Sequence, residues 1–362
     1  MDYSDHAGMS GVDRPACRSA ADRALAFLEA RQHSSGEFKM DFTLHEAIDP
    51  VSGLPEVRQD ESPFSASYIV HCLGFSREAA AARMIALAVT YFRNQEVRGG
   101  LWRYWNKGTA PLGDIPTDVD DTSCISDLLE RFGGGAPDNK WFLLLNRNAR
   151  GLFYTWIAPR LVSPFNTRYW SIILRDVTVT RNVLFWKRSP GHPDDVDAVV
   201  NANAALYFGP VPAIAPVVDH LLWVARSGKE EDSDKWYPDA NTFYYALSRC
   251  YARGMTRLEE ALPKMMDRFE SQAKPDGRIG ENDMLTALAA ASLLNFRSHS
   301  ELLLPAVRYL LESQQDDGGW SSQLFYTNGS RPPQTSWSSR ELTTGFCVEV
   351  LERCVSGDID GA

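Results

Sequence analysis

Residues 310–322 read Leu-Leu-Glu-Ser-Gln-Gln-Asp-Asp-Gly-Gly-Trp-Ser-Ser: an apolar helical end closed by Gln314, a polar turn with two glycines, and a ring at Trp320. The same plan recurs in AFLEARQHSSGEF (26–38), TYFRNQEVRGGLW (90–102) and RFESQAKPDGRIG (268–280). Gln32, Gln95, Gln272 and Gln314 therefore precede Phe38, Trp102, Ile279 and Trp320 in four related turns. Glycine ends a helix where the backbone must take an unusual φ, the glutamine amide can bind free backbone groups at a helix end, and the ring packs on the turn.

Each such helix is followed by a loop and a second helix that tends to open on Ser, Asp or Glu. This reading predicts outer helices at 16–31, 77–95, 138–152, 212–226, 257–272 and 301–315, and inner helices at 62–75, 118–131, 194–208, 240–253, 283–295 and 340–354. Hairpins that cannot bury an apolar face alone stack on their neighbours. The expected fold is all-α, an (α/α)6 toroid forming one domain over 13–355, with disordered tails at 1–12 and 356–362. An aromatic- and Arg-rich insertion at about 153–190 is expected beside the mouth where the acidic starts of the inner helices converge, and Thr178-Val179-Thr180 leaves room for a short strand there.

Composition narrows the function classes. The 362-residue chain is 44% hydrophobic, enough for a globular core, and carries a formal charge of −10 with no basic run, which excludes nucleic acid as an expected partner. No apolar stretch reaches the ~18 residues of a membrane span. The polar start from Met1 to Gly11 reads as no signal peptide, so a cytoplasmic location is expected, compatible with peripheral membrane contact. Six cysteines lie far apart without C-x-x-C spacing and read as reduced thiols rather than a zinc site.

Ile115-Pro116-Thr117-Asp118-Val119-Asp120-Asp121-Thr122-Ser123 places three carboxylates in one turn. Helix capping needs one or two of them. Three close carboxylates repel one another, which favours keeping a proton on one and so supplies a candidate general acid. At this motif the chain resembles the terpenoid cyclases of the squalene-hopene and class II diterpene type, whose toroidal β domain carries Gln-to-Trp repeats and a D-x-D-D motif. The resemblance covers most of the chain as architecture and is sharpest at Asp118 to Thr122, QAKPDGRIG and QQDDGGW. It implies that Asp120 protonates an isoprenoid alkene to start carbocation cyclisation, with Asp118 and Asp121 as its supporting neighbours. That chemistry needs a dry acid and ring faces that stabilise cations, for which Trp102, Tyr104, Trp105, Trp156, Trp170, Trp223 and Tyr244 are candidates. Members of the family set the site between two toroids, and this chain has room for one. Closure of the cavity is therefore expected from the insertion, a homodimer or a partner protein.

Asp194, Asp197 and Asn201 recur on one helical face, and Asp197 and Asn201 are secondary candidates for binding substrate, positioning water or taking the final proton. An acidic cap with one buried, bonded Asn explains the same pattern. Arg147, Arg150, Arg160, Arg168, Arg175, Arg181, Lys187 and Arg188 interleave with the aromatics of the insertion, a mixture suited to a diphosphate or carboxylate head on an apolar tail. Protonation requires no cofactor, and Mg2+ is expected only with a diphosphate substrate. Protein prenyltransferase β subunits share toroid and repeats but need Asp, Cys and His on zinc; Asp219-His220 has no cysteine nearby, and Cys347 and Cys354 have no neighbouring His. No D-D-x-x-D motif stands in a persuasive place. The alternatives are a carbohydrate-active (α/α)6 hydrolase or lyase pairing Asp120 with Asp197 or Asp239, and a non-catalytic binding toroid. Whether Asp120 lies in an apolar cavity, a solvated groove or open surface separates the three.

Overall fold

Two kinds of helix are built from the two kinds of apolar pattern. Helices with one apolar stripe bury that stripe alone, while helices apolar on every side are buried on every side. A computed structural model describes residues 11–108, 115–161, 165–174, 185–187 and 189–357. Arg175, Arg181, Arg188, the Thr178–Thr180 patch and most of both expected tails lie outside the described residues.

The outer set is α1 (Arg14–Arg31), α3 (Ala79–Gln95), α5 (Lys140–Leu145), α8 (Ala215–Ser227), α10 (Leu262–Gln272) and α12 (Leu303–Ser313). The inner set is α2 (Pro63–Leu73), α4 (Val119–Phe132), α7 (Ala198–Phe208), α9 (Ala240–Ala252), α11 (Asp283–Asn295) and α13 (Arg340–Ser356); α6 (Thr167–Ile173) belongs to the insertion. Every residue of α2, α7 and α11 is buried, whereas α3 buries only Ala81, Met84, Ala88, Tyr91 and Phe92. The inner helices touch in a closed cycle, α2 on α4, α4 on α7, α7 on α9, α9 on α11, α11 on α13 and α13 back on α2. No helix among the described residues is long and apolar enough to cross a membrane.

The turns join the two sets. Gln32 Nε2 donates to Gly36 O and to Met84 O on the next outer helix, both at 3.0 Å, and Gln314 Nε2 does the same to Gly318 O at 2.8 Å and Ala20 O at 2.9 Å. Gly318 takes a φ of +89°, and a Cβ there would meet Arg23 O at 2.5 Å. The backbone N–H groups of Trp102, Ile279 and Trp320 donate to Thr122, Thr286 and Thr344 Oγ1, each at 3.1 Å, so one threonine clamp ties turn to inner helix three times. A further copy escaped the sequence reading. Phe153 N–H donates to Asn201 Oδ1 at 2.9 Å, and Arg147 bridges Phe153 as Ala273 bridges Ile279, so 146–153 is another repeat with Asn146 in the glutamine place.

The expected outer helix 138–152 is therefore short, because its second half is this repeat turn. Helix α7 begins at Ala198 rather than 194: Asp195 accepts from His192 N–H at 2.7 Å and holds the preceding residues in a turn. The expectation of an all-α chain needs correction. Strands β1 (Lys39–Ile48), β2 (Pro55–Glu61), β3 (Gln323–Thr327) and β4 (Thr335–Ser339) form an antiparallel sheet in the order β2-β1-β4-β3. Its centre pairs Phe42 with Trp337, and β3 pairs Tyr326 with the same Trp337. Short strands joined from opposite ends of the chain leave little local signal, since strand preference reflects cross-strand packing.

Candidate active site

The start of α4 is held from both sides. Asp118 N–H donates to Trp102 O at 3.3 Å, Val119 N–H to Thr155 O at 2.9 Å, and Ile157 N–H to Thr117 O at 3.0 Å. Asp118 is the cap of the helix, its Oδ1 accepting from Asp121 N–H at 2.7 Å. With its cap fixed in this way, α4 presents Asp118, Asp120 and Asp121 to a cavity of about 930 Å³. Phe64, Tyr104, Trp105, Trp156, Trp236, Tyr237, Tyr326 and Trp337 supply rings to its wall, while Arg103, Asn106, Lys107, Asn328 and Gln334 supply polar groups.

Asp120 is held by donors on both oxygens: Asn203 Nδ2 at 2.7 Å on Oδ1 and Tyr237 Oη at 2.6 Å on Oδ2. The same Asn203 amide donates to Tyr68 Oη at 2.9 Å. Burial raises the Asp120 carboxyl above the usual carboxylate range, opposed by the bonds from Tyr237 and Asn203 and by the charge of the buried Arg249. Asp118 is pushed up to about 7, by burial first and then by the charge of Asp120. Asp121 is held well above its ordinary value by burial and by Asp118. The arrangement favours protons in the cluster, and the two donors on Asp120 can stabilise its carboxylate form.

The sheet forms the facing wall. Asp60 of β2, buried at 3% exposure, accepts on Oδ2 from Trp337 Nε1 at 2.6 Å, Tyr104 Oη at 3.1 Å and Trp105 Nε1 at 3.2 Å. One carboxylate thus orients three rings that line the cavity. Sequence reasoning missed Asp60, Asn203 and Tyr237; the available signal was a polar residue inside an otherwise apolar helix for Asn203, and none in the local pattern for the other two. Among the described residues no three His, Cys, Asp or Glu side chains gather as a metal site.

No protein-family profile matches the chain, and no curated protein sequence matches it. Solved structures do. A crystal structure of a protein from Actinoplanes superposes with a TM-score of 0.68 at 18% identity, covering 94% of this chain and 99% of that one. Type II terpene cyclase MstE from Scytonema superposes in its apo form with a TM-score of 0.67 at 16% identity, covering 95% and 99% of the two chains. A variant of MstE in complex with its substrate geranylgeranyl dihydroxybenzoate gives 0.66 at 15% identity, covering 95% and 98%. The chain has a class II terpene cyclase-like fold.

Within that cyclase-like fold the predicted residues divide. Asp118, Asp120, Asp121, Trp105 and Trp156 line the cavity, as does Tyr104. Trp102 does not: it is fully buried in its repeat turn with Nε1 donating to Phe92 O at 2.8 Å. Trp170 packs beside Tyr169 away from the cavity, Tyr244 is buried against Phe269 with its hydroxyl on Glu230, and Trp223 is half exposed on α8. Asn201 is a structural clamp, both ends of its amide being bonded to Phe153 backbone. Asp197 sits one layer behind the wall, accepting from Thr155 Oγ1 at 2.5 Å and Trp236 Nε1 at 3.1 Å, and so positions two residues that do line it. Burial, aided by the charge of Asp195 and opposed by these donors, pushes Asp197 up to about 6. Three of the basic residues singled out in and beside the insertion are engaged elsewhere: Arg147 on Leu144 O and Ala213 O, Arg160 on Asp194, Arg168 on Asp138. Arg103 and Lys107, outside the insertion, are the cations described at the cavity.

Proposed function

We propose that the protein is a class II terpene cyclase-like enzyme with a single (α/α)6 toroid, in which Asp120 protonates an isoprenoid alkene and so starts carbocation cyclisation. The carrying observation is Asp120 itself: a buried carboxyl, raised by burial and bonded by Asn203 and Tyr237, that lines a large cavity walled by rings. Burial favours its protonated form, and the two donors strengthen as charge develops on it, which lowers the barrier to giving the proton up. Asp118 caps the helix start, and with Asp121 it crowds carboxyls beside Asp120, which favours keeping a proton in the cluster. Aromatic faces attract the cation without capturing it as a nucleophile would. The closed cycle of inner helices supports the toroid, and the sheet supplies part of the cavity wall. The two acids a paired-carboxylate sugar mechanism would set against Asp120, Asp197 and Asp239, are both bonded at helix starts and neither lines the cavity.

The substrate is a prenyl diphosphate or a prenylated compound, with Mg2+ called for only where a diphosphate is present. The test incubates wild-type and Asp120→Asn protein with geranylgeranyl diphosphate, farnesyl diphosphate, squalene and geranylgeranyl dihydroxybenzoate, each with and without magnesium. A cyclised product of unchanged mass, reduced by about 10²-fold or more in the mutant, is expected from loss of a general acid. Equal turnover by Asp120→Asn removes this acid from the mechanism.

A further inference from the structure

A cyclisation begun by Asp120 must end by losing a proton from the last cation, and the acid cluster does not identify the group that takes it. Opposite the cluster, Tyr326 of β3 and Tyr104 both line the cavity, and their hydroxyls are bonded to each other. Tyr104 donates its own proton to Asp60 Oδ2 at 3.1 Å. Every other described partner of Asp60 also donates: the indoles of Trp105 and Trp337 to Oδ2 and the Glu61 N–H to Oδ1 at 2.8 Å. All of these bonds run toward Asp60, and the one from Tyr104 already aims its proton at Oδ2. With the Tyr104 proton committed to Asp60, the Tyr104 oxygen can only accept from Tyr326, so the chain has one direction. The Tyr326 hydroxyl proton also has the Met40 sulfur within reach at 3.1 Å, a weaker acceptor than the Tyr104 oxygen. Its ring lies 6.4 Å from that of Tyr237, the residue bonded to Asp120, so the chain ends within the same cavity as the acid.

The geometry points to Tyr326, Tyr104 and Asp60 as the relay that accepts the final proton, an inference that rests on the cyclase reading. The C–H bond next to the cationic carbon breaks, its electron pair becomes the new double bond, and the proton goes to Tyr326 Oη. Tyr326 passes its phenolic proton to Tyr104 Oη, and Tyr104 passes its own to Asp60 Oδ2. Asp60 ends protonated and Asp120 ends ionised, so substrate and product are isomers and the balance is restored through solvent after product leaves. Both phenols lie well above their ordinary pKa, chiefly by burial, and therefore stay neutral, which suits groups that hand protons on rather than store charge. A neutral oxygen is also a poorer trap for the cation than a phenolate.

The experiment compares product identities from wild type, Tyr326→Phe, Tyr104→Phe and Asp60→Asn on whichever of the four probes wild type cyclises, with melting curves confirming that each variant is folded. The phenylalanine variants remove only a hydroxyl, so the test stands even where Asp60→Asn fails to fold. Tyr326→Phe and Tyr104→Phe are both expected to move the ratio of the native alkene to isomeric alkenes and water-captured alcohol by about tenfold or more. Tyr104→Phe is the decisive arm, since a role confined to the Tyr326 ring leaves its products unchanged. The same alkene in native proportion from both variants overturns the relay while an Asp120-dependent wild-type product keeps the cyclase reading intact. Absence of any wild-type product overturns both.

Discussion

The acid cluster couples chemistry to pH through burial. Asp118 is pushed up to about 7, so in the folded protein it resists ionising, whereas an unfolded aspartate ionises at about 3.9. A folded pKa above the unfolded one contributes stability fully below about pH 4 and loses it as pH climbs through about 7. Asp118→Asn keeps an oxygen to cap Asp121 N–H and removes the charge. Its melting temperature is expected to gain on wild type as pH goes from about 5 to about 8, and melting curves with a constant difference would refute the coupling. Under the proposed mechanism catalysis follows the same sign, because a raised Asp120 that acts as the acid must be protonated, so activity on a cyclised substrate is expected to decline toward alkaline pH. Asn201 illustrates the opposite outcome for a polar residue in an apolar helix. It bonds the backbone of Phe153 and Asp197 and does not line the cavity. Asn201→Ala is expected to cost roughly 2–4 kcal/mol in urea unfolding, because buried backbone groups lose their partners. A loss confined to substrate affinity would return Asn201 to the binding site.

At the level of elements, the repeat turn is the unit that assembles the molecule. Its ring anchors by indole N–H to the preceding helix, its glutamine reaches the next outer helix, and its backbone is clamped by a threonine of the inner helix. Trp320→Phe deletes the bonds to Leu310 O at 3.0 Å and Ser313 Oγ at 3.2 Å while keeping most of the packed ring. It is expected to lower stability by about 1–2 kcal/mol with the product profile unchanged. Denaturant titration and product analysis on one preparation check both halves. The repeats were legible because they are local: helix end, glycine and ring lie within one short segment. The copy at 146–153 was not, since Asn146 and Phe153 replace the residues that made the pattern visible, and only the Asn201 clamp exposes the equivalence.

Over the whole molecule, the cavity whose closure the sequence assigned to an insertion, a homodimer or a partner protein takes part of its wall from the sheet. Trp337, Tyr326, Asn328 and Gln334 bring the wall from within the chain, and Trp156 and Phe185 bring the part that the insertion supplies. Specific activity is accordingly expected to stay constant on dilution across the micromolar to nanomolar range, and a steep fall would call for a second chain in the site. Sequence alone determined the helix pairing, the repeat turns and the carboxyl cluster at Asp118 to Asp121, because each is written within a few turns of chain as periodicity, capping and charge spacing. It also placed Trp105 and Trp156 at the cavity, but not Trp102, Trp170 or Tyr244, since rings of equal hydrophobicity pack either inward or between helices. Only the tertiary structure decided the sheet, the Asn203 and Tyr237 bonds to Asp120, and the Asp60 group. Those contacts join residues from different helices and from opposite ends of the chain, and their free energy exists only once the fold has brought them together.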